Sequence, residues 1–360
     1  MQDQRAWLEL LCQPQALVDL AAEGLSQGQA VQALLQSARR APGFQRVDAS
    51  QLDAAEHWLQ ADQRRGLLLR SDPAWPTAFA DLPGMPLGLF WLGDLDCLRV
   101  PQLAIVGSRN PTPAGGRHAR SFARSLAGAG LGITSGLAMG IDTAAHLGAL
   151  DAQGVSIAVC GRGLDACYPA SNRPLFARLE QEGLLLSEYL PGTSPRRSHF
   201  PARNRIIAAL GRGTLVVEAS PNSGSLITAR QALSFGREVF AMPGAIDNPL
   251  ARGCHQLIRD GAHLAESPRD VLEPLAPGLL NYTLDFATPE SSPTSPHSPD
   301  DSLTQALLAA LDSAPANIDT LVARTGLPVA EISSKLLILE LQGTVAIAPG
   351  GGYQRIGSSA

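Results

Sequence analysis

The sequence predicts an α/β protein: a parallel sheet covered on both faces, preceded by a small helical domain and followed by a winged helix. Three observations carry that prediction. From residue 101, short apolar runs alternate with glycine turns and helical segments, the rhythm of a parallel sheet. Before residue 66 the apolar periodicity is purely helical. After residue 301 three helical segments precede a hairpin, the order of a winged helix.

The elements follow in order. Residues 1–65 carry Trp7, Leu8, Leu10 and Leu11, then Leu17, Val18 and Leu20, then Ala30, Val31, Leu34 and Leu35 behind Ser26 as a cap. The Gly-Val-Gly turn of a DNA-binding helix-hairpin-helix is missing, so this domain reads as a structural or protein-contact module. In 66–100, Gly66–Leu69 and Leu87–Leu92 are strand-like and the prolines at 73, 76, 83 and 86 bar a helix between them; these pieces should extend or cover the sheet. Strands are expected at 103–106, 131–134, 155–159, 184–188, 214–218 and 238–242, with helices from about 114 to 126 and through 144–150. Each strand runs into Gly, Ser or Arg, so polar groups converge on the carboxyl edge, where open parallel sheets bind ligands. Residues 276–301, rich in Pro, Ser, Thr and acids, read as a linker. The tail, 302–360, has helices at 303–311, 318–325 and 329–341 and a hairpin at 344–356. The domains are thus 1–65, 66–275, 276–301 and 302–360.

Composition narrows the function. No run of about 20 apolar residues offers a membrane span, and no basic region leads into an apolar stretch at the N-terminus. Five cysteines without CxxC spacing suit buried thiols in a reducing cytosol, so a cytoplasmic location is expected. His146, His255 and His263 lack ligand spacing, and no metal is expected. The net charge of −5 conceals a segregation: 101–270 holds 17 Arg against 12 acids, a local +5, and field strength depends on such placement. The third tail helix carries Glu331, Lys335 and Glu340, a poor set for reading phosphates, which favours a contact role for that domain.

The chemistry concentrates at 200–218, with Arg196 and Arg197 just upstream. Arg196, Arg197, Arg203, Arg205 and Arg212 occur with no Asp or Glu between Glu188 and Glu218. Pro201 suits a first helical turn, where Arg203 and Arg205 would oppose the positive helix end unless an anion lay between them. An anion site is the favoured reading, a solvated basic turn its alternative. Gly107-Ser108-Arg109 after a buried strand forms either an anion nest with a guanidinium or a plain tight turn; without G-x-G-x-x-G, a dinucleotide site is poorly supported. Ser223-Gly224-Ser225 opens a helix and serves equally as phosphate site or N-cap. Phe200, beside His199 and the arginines, could stack a nucleobase or sit in the core. Asp142 and Glu218 stand where a catalytic acid could lie, but a carboxylate among arginines more often orients them.

The runs AIVGSRNPT (104–112), SGLAMGIDTAAH (135–146), CGRGLDACYP (160–169), LLSEYLPG (185–192), HFPARNRIIAAL (199–210), LVVEASPNSGSLITARQAL (215–233), GREVFAMPG (236–244) and GCHQLIRDGA (253–262) together resemble the DNA-processing protein A family, DprA or Smf. The resemblance implies an extended Rossmann-like domain that binds single-stranded DNA without catalysis and without a cofactor. It also implies a homodimer that loads RecA onto DNA coated by single-strand-binding protein during natural transformation. Carried onto this sequence, the DNA-binding set is Gly107, Ser108, Arg109, Gly136, Arg197, Phe200, Arg203, Asn204, Arg205, Ser223, Gly224 and Ser225. Ile258 and Leu264 are the apolar candidates for the dimer surface, with a core role open. Ala114 stands where relatives often have an aromatic. Gly213-Thr-Leu-Val-Val-Glu218 is faintly similar to the GGxGTxxE motif of phosphoribohydrolases, which keeps a nucleotide hydrolase as the rival expectation, and a scaffold whose basic residues bridge subunits is a third.

Overall fold

The computed structural model describes residues 2–80 and 82–275, and in the C-terminal part 307–308, 310–311, 316–327, 332, 336, 339, 345–347 and 352–355. The chain divides into two compact units, Met1–Ala287 and Thr288–Ala360.

The first unit opens with four helices, α1 (Gln2–Leu11), α2 (Gln15–Ser26), α3 (Val31–Arg40) and α4 (Ala49–Gln60). The strands are β1 (Arg65–Leu69), β2 (Gly88–Gly93), β3 (Gln102–Val106), β4 (Gly132–Ser135), β5 (Ser156–Cys160), β6 (Leu184–Ser187), β7 (Gly211–Val216), β8 (Glu238–Ala241) and β9 (His263–Leu264). Between them run α5 (Pro113–Gly128), α6 (Ile141–Asp151), α7 (Arg173–Glu182), α8 (His199–Leu210), α9 (Gly224–Ser234) and α10 (Arg252–Arg259). All nine strands form one sheet in the order β1-β2-β6-β5-β4-β3-β7-β8-β9. From β6 to β9 every pairing is parallel, while β1 and β2 add to the β6 side antiparallel. The strand-like pieces of 66–100 therefore extend the sheet.

Strand side chains alternate between the two faces, and both faces are buried. In β3, Ala104 and Val106 enter a core with Ile206, Ile207 and Leu210 of α8 and Leu226 of α9. Leu103 and Ile105 enter the opposite core with Phe122 and Leu126 of α5 and Ile141 of α6. This explains the unbroken apolar runs. The amphipathic faces of α1 and α4 are buried on the sheet: Leu8, Leu52 and Trp58 pack with Phe90, Leu92 and Leu185, and Trp58 meets Phe90 edge-on at 6.3 Å. Residues 1–65 thus share a core with the sheet.

Strand order places β3 at the switch point. Its sequence successor β4 lies on one side and β7 on the other, so the loops leaving the carboxyl ends of β3 and β7 diverge and leave a crevice.

In the second unit the helix Ile318–Thr325 is capped by Asn317, whose Oδ1 accepts the Thr320 N–H at 2.8 Å, and stops at Gly326 with φ +69°. An antiparallel hairpin, β10 (Val345–Ile347) with β11 (Tyr353–Arg355), follows. Leu307, Leu311, Leu321, Ile332, Leu336 and Val345 share its core, in keeping with the expected winged helix. The linker expected at 276–301, and Glu331, Lys335 and Glu340, lie outside the described residues.

Candidate functional site

The crevice at the switch point is a cleft of about 770 Å³. The loop after β3 supplies Gly107, Ser108, Arg109 and Asn110; the segment entering α8 supplies Arg197, Phe200, Arg203 and Asn204; the loop after β7 and the start of α9 supply Ser220, Ser223, Gly224 and Ser225. Three guanidiniums and a single carboxylate, Asp142, line it.

The backbone is shaped for this close approach. A Cβ on Gly107 would stand 2.7 Å from the Ile141 side chain and 3.0 Å from the Glu218 carbonyl. The Ser108 N–H donates to that carbonyl at 2.7 Å, tying the β3 loop to the end of β7. Gly140, at φ +82°, would put a Cβ 2.4 Å from the Ser108 carbonyl, so the β3 and β4 loops interlock as they do only with glycine there.

Arg109 is exposed and without an ion pair among the described residues. Its guanidinium lies over the Phe200 ring, 5.4 Å from the centroid, a cation–π contact that holds both at the rim. Phe200 is half-buried, and Tyr168, 48% exposed, sets its ring 5.6 Å from the Phe200 ring. Arg197 is exposed and likewise without an ion pair among the described residues. At α9 the Ser223 hydroxyl accepts the Ser225 N–H at 3.3 Å and lies 2.7 Å from the Ser225 hydroxyl. Ser223 is therefore an N-cap, and its helix end opens on the cleft. Asn204 donates to the Gly224 carbonyl at 3.3 Å, joining α8 to α9.

Two of the arginines are not open to an anion in this cleft, for one physical reason: their polar partners come from other segments. Arg203 is 4% exposed. Its Nη1 donates to the Gly136 carbonyl at 2.6 Å and to the Val159 carbonyl, bracing the carboxyl ends of β4 and β5. Burial draws the Arg203 pKa down, and Asp142 opposes that shift. For Asp142, burial pushes the carboxyl pKa up against the pull of Arg203 and of the Ala138 and Gly136 N–H groups. Arg205 turns to the far side of α8, where it pairs with Glu188. Gly136 is buried below the cleft wall, where a Cβ would stand 2.5 Å from the Arg203 guanidinium. The structure thus gathers Gly107, Ser108, Arg109, Arg197, Phe200, Arg203, Asn204 and Ser223–Ser225 around one cleft, and separates Gly136 and Arg205 from it.

A second layer fixes the β4 loop. His146 Nε2 accepts the Leu137 N–H at 3.3 Å, so its Nδ1 carries the proton and donates to the Ser156 hydroxyl at 2.8 Å. Burial, with the Arg203 charge adding to it, lowers the His146 pKa to about 3. Asn172 Nδ2 donates to the Leu137 carbonyl at 3.0 Å and to Thr143 Oγ1 at 2.9 Å. Glu218 accepts the Thr112 N–H at 2.8 Å and the Thr112 hydroxyl at 2.6 Å; a Cβ on Gly115 would collide with its carboxylate. Its side chain is committed to the start of α5. Tyr168 was missed in the sequence; an aromatic beside a proline in a glycine-containing loop was the available signal. Asn110 and Thr228 also line the cleft and carried none.

At the far edge of the sheet, Leu264 on β9 is 43% exposed, and Ile258 on α10 is partly buried against the core. Among the described residues no cluster of His, Cys, Asp or Glu could hold a metal, and no helix is long and apolar enough to cross a membrane.

A doubly wound sheet with basic, aromatic and hydroxyl groups at its switch point defines an open α/β fold whose crevice lies beyond the carboxyl ends of the strands. Comparison with known proteins narrows this. Residues 66–276 match the family described as DNA recombination-mediator protein A, and residues 291–351 match the DprA winged helix domain. The chain is 44% identical over 322 residues to Protein Smf of Escherichia coli, spanning 88% of this chain and 84% of that one. It is 48% identical over 201 residues to the DNA processing protein DprA of Streptococcus pneumoniae, spanning 56% and 71%. Among solved structures, the X-ray structure of DprA from Streptococcus pneumoniae aligns at TM-score 0.65 and 37% identity over 74% of this chain and 95% of that one. A structure of DNA processing protein A from Helicobacter pylori, reported for its single-stranded DNA binding mode, aligns at TM-score 0.55 and 31% identity over 60% and 97%. The chain belongs to the DprA/Smf family.

Proposed function

We propose that this chain binds single-stranded DNA in the cleft between β3 and β7, protects it, and loads RecA onto it during natural transformation. It acts in the cytoplasm as a homodimer alongside single-strand-binding protein and catalyses no reaction. The observation that carries the reading is the joint placement of two guanidiniums without an ion pair among the described residues, Arg109 and Arg197, with the Phe200 and Tyr168 rings in one cleft. Guanidiniums hold phosphates whatever the sequence, and ring faces hold unstacked bases at about 1–3 kcal/mol per base. Bases within a duplex are already stacked, so the combination selects single strands. The likeness to the Helicobacter pylori protein supports the same ligand. For the homodimer, the exposed Leu264 and its neighbour Ile258 at the sheet edge are the proposed contacts. The hydrolase reading is not favoured, because the Glu218 carboxylate is engaged by Thr112 at the start of α5.

Gel shifts with single- and double-stranded oligonucleotides test this. Wild type binds the single strand preferentially, with a salt slope of about 0.7 per phosphate neutralised. Arg109→Ala weakens binding roughly 10-fold or more, the scale of a charge-assisted hydrogen bond, and equally for every sequence. A changed sequence preference would instead point to base readout, and release of free base from nucleoside monophosphates would revive the hydrolase.

A further inference from the structure

Helix α8 and the segment entering it present residues to two clefts. Arg197, Phe200, Arg203 and Asn204 face the cleft described above, while Arg196, His199, Ala202 and Arg205 face a second one of about 590 Å³. The opposite wall of this second cleft is the segment between α3 and α4, with Gln45, Arg46, Val47 and Asp48, joined by Gln13. That wall is held in place. Gln13 Nε2 donates to the Gln45 carbonyl at 2.9 Å, the Gln45 N–H donates back to Gln13 Oε1 at 2.8 Å, and Gln51 Nε2 donates to Thr193 Oγ1 at 3.2 Å.

The polar groups of this cleft are incompletely used. Arg205 pairs with Glu188 through Nη2, while its Nη1 is buried and without a hydrogen-bond partner among the described residues. A buried donor left unsatisfied is costly, so Glu188 alone leaves the Arg205 guanidinium short of one acceptor. Arg46 and Arg196 are exposed and neither is in an ion pair among the described residues. Of the two acids present, Glu188 is the partner of Arg205 and Asp48 accepts the Ser50 N–H as the cap of α4. The Tyr189 ring is stacked on His199 with centroids 4.0 Å apart, so those faces are already covered and the lining suits a backbone better than a base.

We propose that this second cleft receives the sugar–phosphate backbone of the same strand. Beyond the base held at Phe200, the strand crosses the N-cap of α8 at Ser198, and its next phosphates meet Arg196, Arg205 and Arg46. The N-terminal helices thereby become one wall of an extended track. This assignment rests on the single-stranded DNA reading of the main cleft.

The test compares full-length wild type, Arg46→Glu, Arg196→Glu and Arg109→Ala by fluorescence anisotropy. The probes are oligothymidines of roughly 5 and roughly 20 nucleotides, bracketing the span of a single binding groove. Arg46 is exposed and without an ion pair, so its reversal keeps the fold, which a thermal melt confirms. Arg46→Glu and Arg196→Glu leave the short oligomer within about twofold and weaken the long one about 10-fold, with the salt slope reduced by about 0.7 per lost phosphate contact. Equal effects on both lengths, or none on either, overturn the second cleft. If Arg109→Ala weakens both lengths while Arg46→Glu and Arg196→Glu weaken neither, the main-cleft reading stands and only the extension falls. If wild type binds neither oligomer, the reading on which the extension rests falls first.

Discussion

The two ends of the sheet each carry a cleft, and the larger one is not the proposed site. At the amino ends of β3 and β7 a cleft of about 940 Å³ is lined by Trp75, Trp91, Arg99, Arg212 and Arg237, a set that on paper rivals the other. Yet Arg99 is paired with Asp96 at 3.1 Å and Arg237 donates to the Ala78 carbonyl at 3.2 Å. At the carboxyl end Arg109 and Arg197 have no such partners among the described residues. Parallel topology makes the difference: the helix that follows each strand begins at the carboxyl edge, so positive helix ends collect there and the opposite edge receives the negative ends. Volume alone does not choose the site; the direction of the strands does.

Removing the brace beneath the site is expected to have the largest effect. Arg203→Ala leaves the buried Gly136 and Val159 carbonyls without their donor and should cost about 1–3 kcal/mol for each in urea unfolding. A loss below about 1 kcal/mol, with DNA affinity abolished, would make Arg203 a ligand contact instead of a strut. Next comes Phe200→Ala, which removes one stacking platform. Affinity for single strands should fall about 5- to 150-fold, corresponding to about 1–3 kcal/mol, with the salt slope unchanged; a changed slope would assign the loss to phosphates.

Acid supplies a smaller and graded effect. His146 has a folded pKa of about 3 against an ordinary value of 6.5. Between those values the unfolded chain binds a proton that the folded one refuses, so stability falls as pH drops through that window and is fully present above 6.5. The slope from this single group is about 1.4 kcal/mol per pH unit. Urea midpoints of wild type and His146→Gln at pH 7 and pH 5 measure it as the part of the acid loss that the variant lacks. Smallest of all is the effect expected at the amino-end cleft: Arg99→Ala should leave affinity for single strands within about twofold. A 10-fold loss there would dissolve the distinction between the two ends.

Local signals were enough to find the strands. The runs at 103–106 and 155–159 became β3 and β5, because apolar side chains on both faces leave a periodicity visible in the residues themselves. The glycines and hydroxyls at the strand ends were legible for a similar reason, since turn and cap chemistry is local. The fate of the arginines was not. Arg203 turns inward to the Gly136 and Val159 carbonyls and Glu188 reaches Arg205 across α8, and pairing between distant segments has no sequence periodicity. Residues 1–65 posed the same difficulty, for a helix shows that it has an apolar face without showing what covers it.

The position of Glu218 has one further consequence. Its carboxylate occupies the electropositive start of α5, so the fold stations a resident anion there and denies that pole to any visitor. The neighbouring start of α9 carries the hydroxyls of Ser223 and Ser225 at its mouth. An incoming polyanion is thereby diverted from one helix to the next, and the crevice acquires a direction before any ligand arrives.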